Sequence, residues 1–108
     1  MKLIEIKPST RKDKKYMAIF QLDDERAVTT HFGSKGMRDY TEINNPKSKF
    51  YIKKVKERES VKDAYIRRHK KREDWTKPLT AGALSKWILW TEPNINTAIK
   101  NFKRKFSV

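Results

Sequence analysis

The sequence predicts an α+β domain: a small antiparallel three-stranded meander followed by about three helices packed on it. Three observations carry that expectation. Short stretches of alternating apolar and polar residues recur before residue 33, while helix caps and a helical apolar stripe occupy the last third. The chain has 108 residues, enough for one ordinary domain and too few for two. Residues 1–108 are therefore read as a single small basic α+β domain.

The first strand is Lys2–Lys7, followed by a polar turn around Pro8–Lys14. Tyr16–Leu22 puts Tyr16, Ala18, Phe20 and Leu22 on one side and Met17 and Ile19 on the other. Asp23-Asp24-Glu25-Arg26 makes a turn, and Ala27–Phe32 returns as a strand with β-branched residues. Gly33 and Gly36 then bracket Ser34 and Lys35, the pattern of a turn with positive φ at a strand end. Residues 44–59 read either as a fourth strand at Phe50-Tyr51-Ile52 running into a helix, or as an inserted basic loop.

Ser60 and Asp63 have about the spacing of a capping box, which opens a helix running to about Arg72. Thr80, two residues after Pro78, is the N-cap of a short helix through Trp90. Pro93 and Asn94 open the last helix, in which Ile95, Ala98, Ile99, Phe102 and Phe106 make an amphipathic stripe.

Charge is the dominant feature. Lys and Arg total 27 against 13 acids, a net of +14, and the excess is uneven. Residues 1–43 carry nine cations and seven acids; residues 44–108 carry eighteen and six, a net of +12. Such a chain repels itself when compact, so a polyanionic partner is the natural physical explanation. Twelve aromatic residues predict a small folded core despite this polarity. Cysteine is absent, which removes disulfides and thiolate–metal sites. The longest apolar run, Trp87–Trp90, is far short of the roughly 20 residues of a membrane span, and no membrane partner is expected.

The basic residues concentrate in two places. In YIRRHKKREDW, Arg67, Arg68, Lys70, Lys71 and Arg72 wrap most of a helix circumference, with Val61, Ala64 and Tyr65 towards the core. The macrodipole accounts for two or three cations at a helix C-terminus. Five in six, with His69 among them, exceed that and point to phosphate or acidic-surface contacts. On the last helix Lys100, Lys103, Arg104 and Lys105 lie opposite the Ile/Phe stripe. Lys35, at the tip of the Gly33–Gly36 turn, could add backbone N–H groups for an anion, although a plain tight turn is the simpler reading.

Trp75, Trp87 and Trp90 are interleaved with cations, as in single-strand stacking platforms. Trp87 nevertheless falls at helical spacing with Leu84 and Ile88, which makes it a core residue, with Trp90 similar. No enzymatic pattern stands out: His31 and His69 lack metal-helix spacing, and the acidic pairs Asp23-Asp24 and Glu73-Asp74 read as turn and surface features. The expectation is a protein with no catalytic residues, no metal and no cofactor.

From Phe32 onward the order FGSKGMRDYT, YIRRHKKREDW, TAGALSKWILWTEP and a terminal amphipathic helix resembles a family of small basic uncharacterised proteins encoded by large double-stranded DNA viruses of algae and amoebae. Phe32, Gly33, Gly36, Asp39, Tyr40 and Thr41 match its first motif. Tyr65, Ile66, Arg68, His69, Glu73 and Trp75 match the second, and Thr80, Ala81, Gly82, Ser85, Lys86, Trp87, Leu89, Trp90 and Pro93 the third. Asn45–Lys62 separates the first two motifs more widely than the family pattern. A fainter likeness links the first hairpin and FGSKG to the WGR domain of poly(ADP-ribose) polymerases, with Phe32 at the Trp position and Ser34 in place of the Arg.

The resemblance implies a viral protein located in the virion, and in the host cytoplasm or nucleus during infection. With the charge, the expected function is non-enzymatic nucleic-acid binding through phosphates, to DNA more than RNA, by the ten basic residues named above. The alternative is a minor capsid or cement protein docking its basic face on acidic capsid subunits. The oligomeric state is left open.

Overall fold

A computed structural model describes all residues 1–108. Strands β1 (Lys2–Pro8), β2 (Lys14–Gln21) and β3 (Ala27–Ser34) form one antiparallel sheet in the order β1-β2-β3. Helices α1 (Tyr40–Ile43), α2 (Val55–Lys70), α3 (Ala81–Leu84) and α4 (Ile95–Phe106) follow, with α3 continuing directly into a π-helical turn, Ser85–Leu89. The expected α+β architecture is the observed one.

Register explains which face of the sheet is covered. Leu3 pairs with Phe20, Ile6 with Ala18, Phe20 with Val28 and Tyr16 with Phe32, so these residues share one face. Ala18, Phe20 and Phe32 are fully buried there, against Leu84, Ile88, Leu89 and Phe102 from the helices. Much of the core is aromatic: Phe20 meets Phe102 at 6.5 Å between ring centroids and Phe102 meets Phe106 at 4.9 Å. A bulge between Leu3 and Glu5 shifts the register and turns Ile4 outward.

Each turn satisfies a backbone demand. Glu25 closes the β2–β3 hairpin at φ 70°, and Gly33 and Gly36 take φ 77° and 85° after it. Gly33 has a second reason to be glycine: a Cβ there would lie 2.9 Å from Leu89 Cδ1, so the missing side chain lets β3 approach the π turn. Thr80 caps α3 by accepting from the Ala83 N–H, and Asn94 caps α4 by accepting from Asn96 and Thr97, as the sequence predicts.

One open reading is decided and two elements differ from expectation. Of residues 44–59, Asn44–Lys54 take the loop alternative and form no fourth strand, anchored by the Ile52 N–H to the Ile43 carbonyl at 2.9 Å, while the rest belong to α2. Helix α2 begins at Val55, not Ser60, and its N-cap Lys54 makes no side-chain cap. Tertiary ties replace the cap: the Tyr40 hydroxyl donates to Glu59, and Arg58 donates to Asn44 Oδ1 at 3.0 Å, which holds the first turns against α1. The helix ends at Lys70, so Lys71 and Arg72 lie in the turn that closes it. Helix α1 itself is new, and its N-cap Asp39 accepts from the Glu42 N–H and from the Thr41 hydroxyl.

The other oxygen of Asp39 accepts from Lys15 Nζ at 2.7 Å, and Glu42 shares the same ammonium at 2.7 Å. Asp39 is 2% exposed, so this pair is buried on the acid side. Burial by itself lowers the Lys15 pKa, but the hydrogen bonds and charges of Asp39 and Glu42 outweigh it and hold the group above its ordinary 10.5.

Removing the ammonium leaves a buried carboxylate without its counter-charge. Lys15→Met should therefore cost about 3–5 kcal/mol in urea unfolding, and Lys15→Met with Asp39→Asn should recover part of that loss. The raised pKa adds a sign: the stabilisation from Lys15 is fully present below 10.5 and is lost as pH rises through the higher folded value. An unfolding curve for Lys15→Met that matches wild type would remove the bridge from the account.

Candidate functional site

The three sequence motifs converge on one cleft of about 480 Å³. Gly33, Ser34, Arg38 and Asp39 come from the end of β3 and the following loop. Tyr65, Arg68, His69 and Glu73 come from α2 and its closing turn, and Ala81, Gly82, Ser85, Leu89 and Trp90 from α3 and the π turn. A wider depression of about 770 Å³, between Thr41–Lys49 and the start of α4, carries one cation and no aromatic cluster; it lacks comparable chemistry.

The cleft wall is a stack of rings. Tyr65 lies between Trp90, at 4.2 Å and 6° between planes, and His69, at 4.1 Å and 23°. His69 Nδ1 is 2.9 Å from Glu73 Oε1, and the Trp75 indole N–H donates to Glu73 Oε2 at 2.8 Å. A carboxylate only accepts, so the proton on this contact belongs to Nδ1 and the imidazole presents Nε2 as its open edge. Gly82 sits against the same carboxylate: a Cβ there would lie 3.1 Å from both Cδ and Oε2 of Glu73. Burial first, then the charges of Glu73 and Asp39, push the Tyr65 phenol well above its usual range, with Arg68 pulling the other way; it is a proton donor at any physiological pH.

The cleft is electropositive where it is free. Its carboxylates are engaged, Asp39 by Lys15 and Glu73 by His69 and Trp75. Those pairs use Lys15 and His69 as basic partners, which leaves Lys14, half-buried, and Arg38 and Arg68, both exposed, without a carboxylate.

The ten residues expected to bind a polyanion are all exposed, and none is in an ion pair. They do not form one patch. Arg68 lines the cleft, whereas Arg67 lies with Asp63 and Ile66 on another flank of α2. Lys70 ends the helix and Lys71 and Arg72 follow it. Lys100, Lys103, Arg104 and Lys105 ride on α4, which packs against the π turn. The tryptophans tie α4 to the segment that follows α2: Lys105 Nζ is 4.4 Å from the Trp87 ring, and Trp87 Nε1–H donates to the Trp75 carbonyl at 2.9 Å. Lys35 stands on its turn, but the backbone there is committed. The Lys35 N–H donates to Asp13 and the Met37 N–H to Ser34, so the loop is a tight turn and offers those groups to no anion.

Sequence reasoning assigned the tryptophans to the scaffold, and they are there: Trp90 is buried and Trp75 and Trp87 are half-buried. It missed Lys86. Buried between Trp75 at 5.1 Å and Trp87 at 4.1 Å, Lys86 has its pKa lowered by burial and by the nearby cations Lys62 and Lys105. It also missed the His69–Glu73 pair, for which the i,i+4 spacing was the available signal.

Gly82→Ala tests the clamp on Glu73. Alanine gains up to about 1 kcal/mol of helix propensity, which offsets part of the crowding, so stability should stay within about 1 kcal/mol of wild type. The Trp75 indole N–H resonance should nevertheless move as its acceptor is displaced. An unchanged resonance would mean that Glu73 is not confined by this glycine.

In comparison with known proteins, a family of unknown function (DUF5754) matches residues 4–55, slightly less than half of the chain. The matched segment begins within β1, takes in the rest of the sheet, α1 and the Asn44–Lys54 loop, and stops at the first residue of α2. No curated protein and no solved structure matches the chain.

Proposed function

We propose that this chain is a non-enzymatic nucleic-acid-binding protein that contacts phosphates through the C-terminal end of α2 and the polar face of α4, with DNA favoured over RNA. One observation carries the proposal: of 27 Lys and Arg side chains, only Arg11, Lys15, Arg26 and Lys77 are paired with a carboxylate. The remaining cations are neutralised by nothing in the protein, and counterion release from a polyanion is the physical process that exploits such a surface. Virion association rests on the resemblance to proteins of large DNA viruses.

Helix α2 supports the reading in its own way. Among its 16 residues only Tyr65 is buried. A helix that is polar nearly all round contributes little to a core; what it contributes here is a rigid rod with cations at one end.

A second reading, docking on acidic capsid subunits, uses the same cations. The observation that favours it is the edge of β1, open to a neighbouring strand beyond the Leu3 N–H that the Val108 carbonyl takes, with Ile4 54% exposed.

Fluorescence anisotropy with labelled duplex, single-stranded DNA and RNA decides between them. With on the order of 6–10 phosphate contacts, duplex affinity should fall about 10³–10⁵-fold between about 50 and 200 mM salt. Replacing Arg67, Arg68, Lys70, Lys71 and Arg72 by Gln should flatten that dependence. Weak binding that vanishes at physiological salt would sink the nucleic-acid reading and turn the search to an acidic protein.

A further inference from the structure

We infer that the cleft between β3, α2 and α3 is a binding site for a single nucleoside phosphate unit, sharing only Arg68 with the cations that contact polymer phosphates. The inference deepens the nucleic-acid reading and rests on it. Bulk charge does not require a cleft, and a helix end would bind duplex equally well without one. The cleft has features that bulk binding leaves unexplained.

The first feature is size. About 480 Å³ lies within the range of small-ligand sites, roughly 300–1,000 Å³, and is too confined for a duplex. The second is the sign of its unspent chemistry. Both of its carboxylates are occupied by internal partners, so what remains for a ligand is three unpaired cations, Lys14, Arg38 and Arg68, the last two carrying guanidinium forks suited to a phosphate. The third is a protonated phenol: Tyr65 lines the cleft with no hydrogen-bond partner among the groups around it.

The remaining wall suits the other half of such a ligand. Met37, 63% exposed at the lip, and Val61 and Ala64 on α2 offer apolar surface to a planar base. The open Nε2 edge of His69 is held in place by Glu73 on one side and the Tyr65 ring on the other. Its imidazole is thereby oriented before any ligand arrives, which removes part of the ordering cost of binding.

The same ligand chemistry is supplied by a free mononucleotide or by an unpaired nucleotide within a strand. We would titrate the ¹⁵N-labelled protein in low salt with deoxyadenosine monophosphate, with deoxyadenosine, and with inorganic phosphate. A short single strand and a blunt duplex would be the polymer arms. The expected result is saturable shifts of the Ser34, His69 and Gly82 amides with the mononucleotide, and weaker shifts with either half alone. Arg38→Gln and Arg68→Gln, both at exposed positions, should each weaken mononucleotide binding about tenfold or more while duplex affinity changes only as for any single lost cation. Lys100→Gln with Lys103→Gln and Arg104→Gln should do the reverse. Single strand reproducing the cleft shifts would place the ligand within a polymer; shifts with the mononucleotide alone would make it a free nucleotide. Duplex binding with no mononucleotide effect at the cleft overturns this inference and leaves the surface reading standing. No binding in any arm overturns both.

Discussion

The bridge from Lys15 to Asp39 and Glu42 is the constraint on which the rest of the molecule depends. Lys15 is on the central strand of the sheet, and Asp39 is the residue at which the chain leaves the sheet to start a helix. One carboxylate performs both tasks: one oxygen caps α1, and the other holds the ammonium of β2. Tyr40, the next residue, donates to Glu59 and thereby fixes where α2 begins its run. Arg38, the residue before, is placed at the cleft by the same anchor. A buried ion pair of this kind is weak evidence for net stability, since two aliphatic side chains could fill the space. Its value lies in direction: it admits one geometry for the loop, and so one position for the helix that carries the charge.

That helix illustrates how charge and burial are divided in the chain. The core draws on Phe20, Phe32, Leu84, Ile88, Leu89 and Phe102, supplied by the sheet, α3 with its π turn, and α4. Helix α2 meets them chiefly through the Tyr65–Trp90 stack. The last turn is packed with cations that favour the C-terminal end of the helix dipole and repel one another. Lys86 shows the same tension inside the fold. An ammonium with no carboxylate partner sits between two indole faces, which return part of its lost hydration. Its lowered pKa means that its charge is tolerated at neutral pH at some cost in stability, a cost that fades as pH rises towards 10.5.

Much of the fold was legible because its signals are local. Strand alternation, the Glu25 turn, the positive-φ glycines, the Thr80 and Asn94 caps and the stripe from Ile95 to Phe106 each follow from a few adjacent residues. The failures are tertiary. Ser60 and Asp63 have cap spacing, yet ties from Tyr40 and Asn44 start α2 five residues earlier, and no local rule contains those ties. Helix α1 had a signal in Asp39-Tyr40-Thr41-Glu42, a cap with an acid three residues on, but four residues are too few for periodicity to register. The π turn is invisible for the same reason; its wider winding lets Ile88, Leu89 and Trp90 all turn inward in succession. The site was half legible. Counting cations finds those exposed to solvent, whereas the cleft is defined by carboxylates already spent on internal partners, and sequence does not show which are spent.

The difference between cations scattered on the open surface and cations gathered around a cleft has a functional logic. Lysines and arginines on helix ends neutralise phosphates without regard to what the phosphates carry, so they supply affinity and salt dependence and no discrimination. A cleft lined by Lys14, Arg38 and Arg68 together with a stacked Tyr–His pair can accept only what fits within it. If both operate on the same strand, the exposed cations bring the polymer to the surface quickly and weakly, and the cleft then tests one nucleotide at a time. The energetic division follows from geometry: scattered cations meet phosphates one at a time, whereas cations gathered around a cleft converge on a single ligand. On the proposed reading, a protein with unpaired cations in such excess has affinity to spare; what its open surface would lack is selectivity, and the cleft is where the fold would supply it.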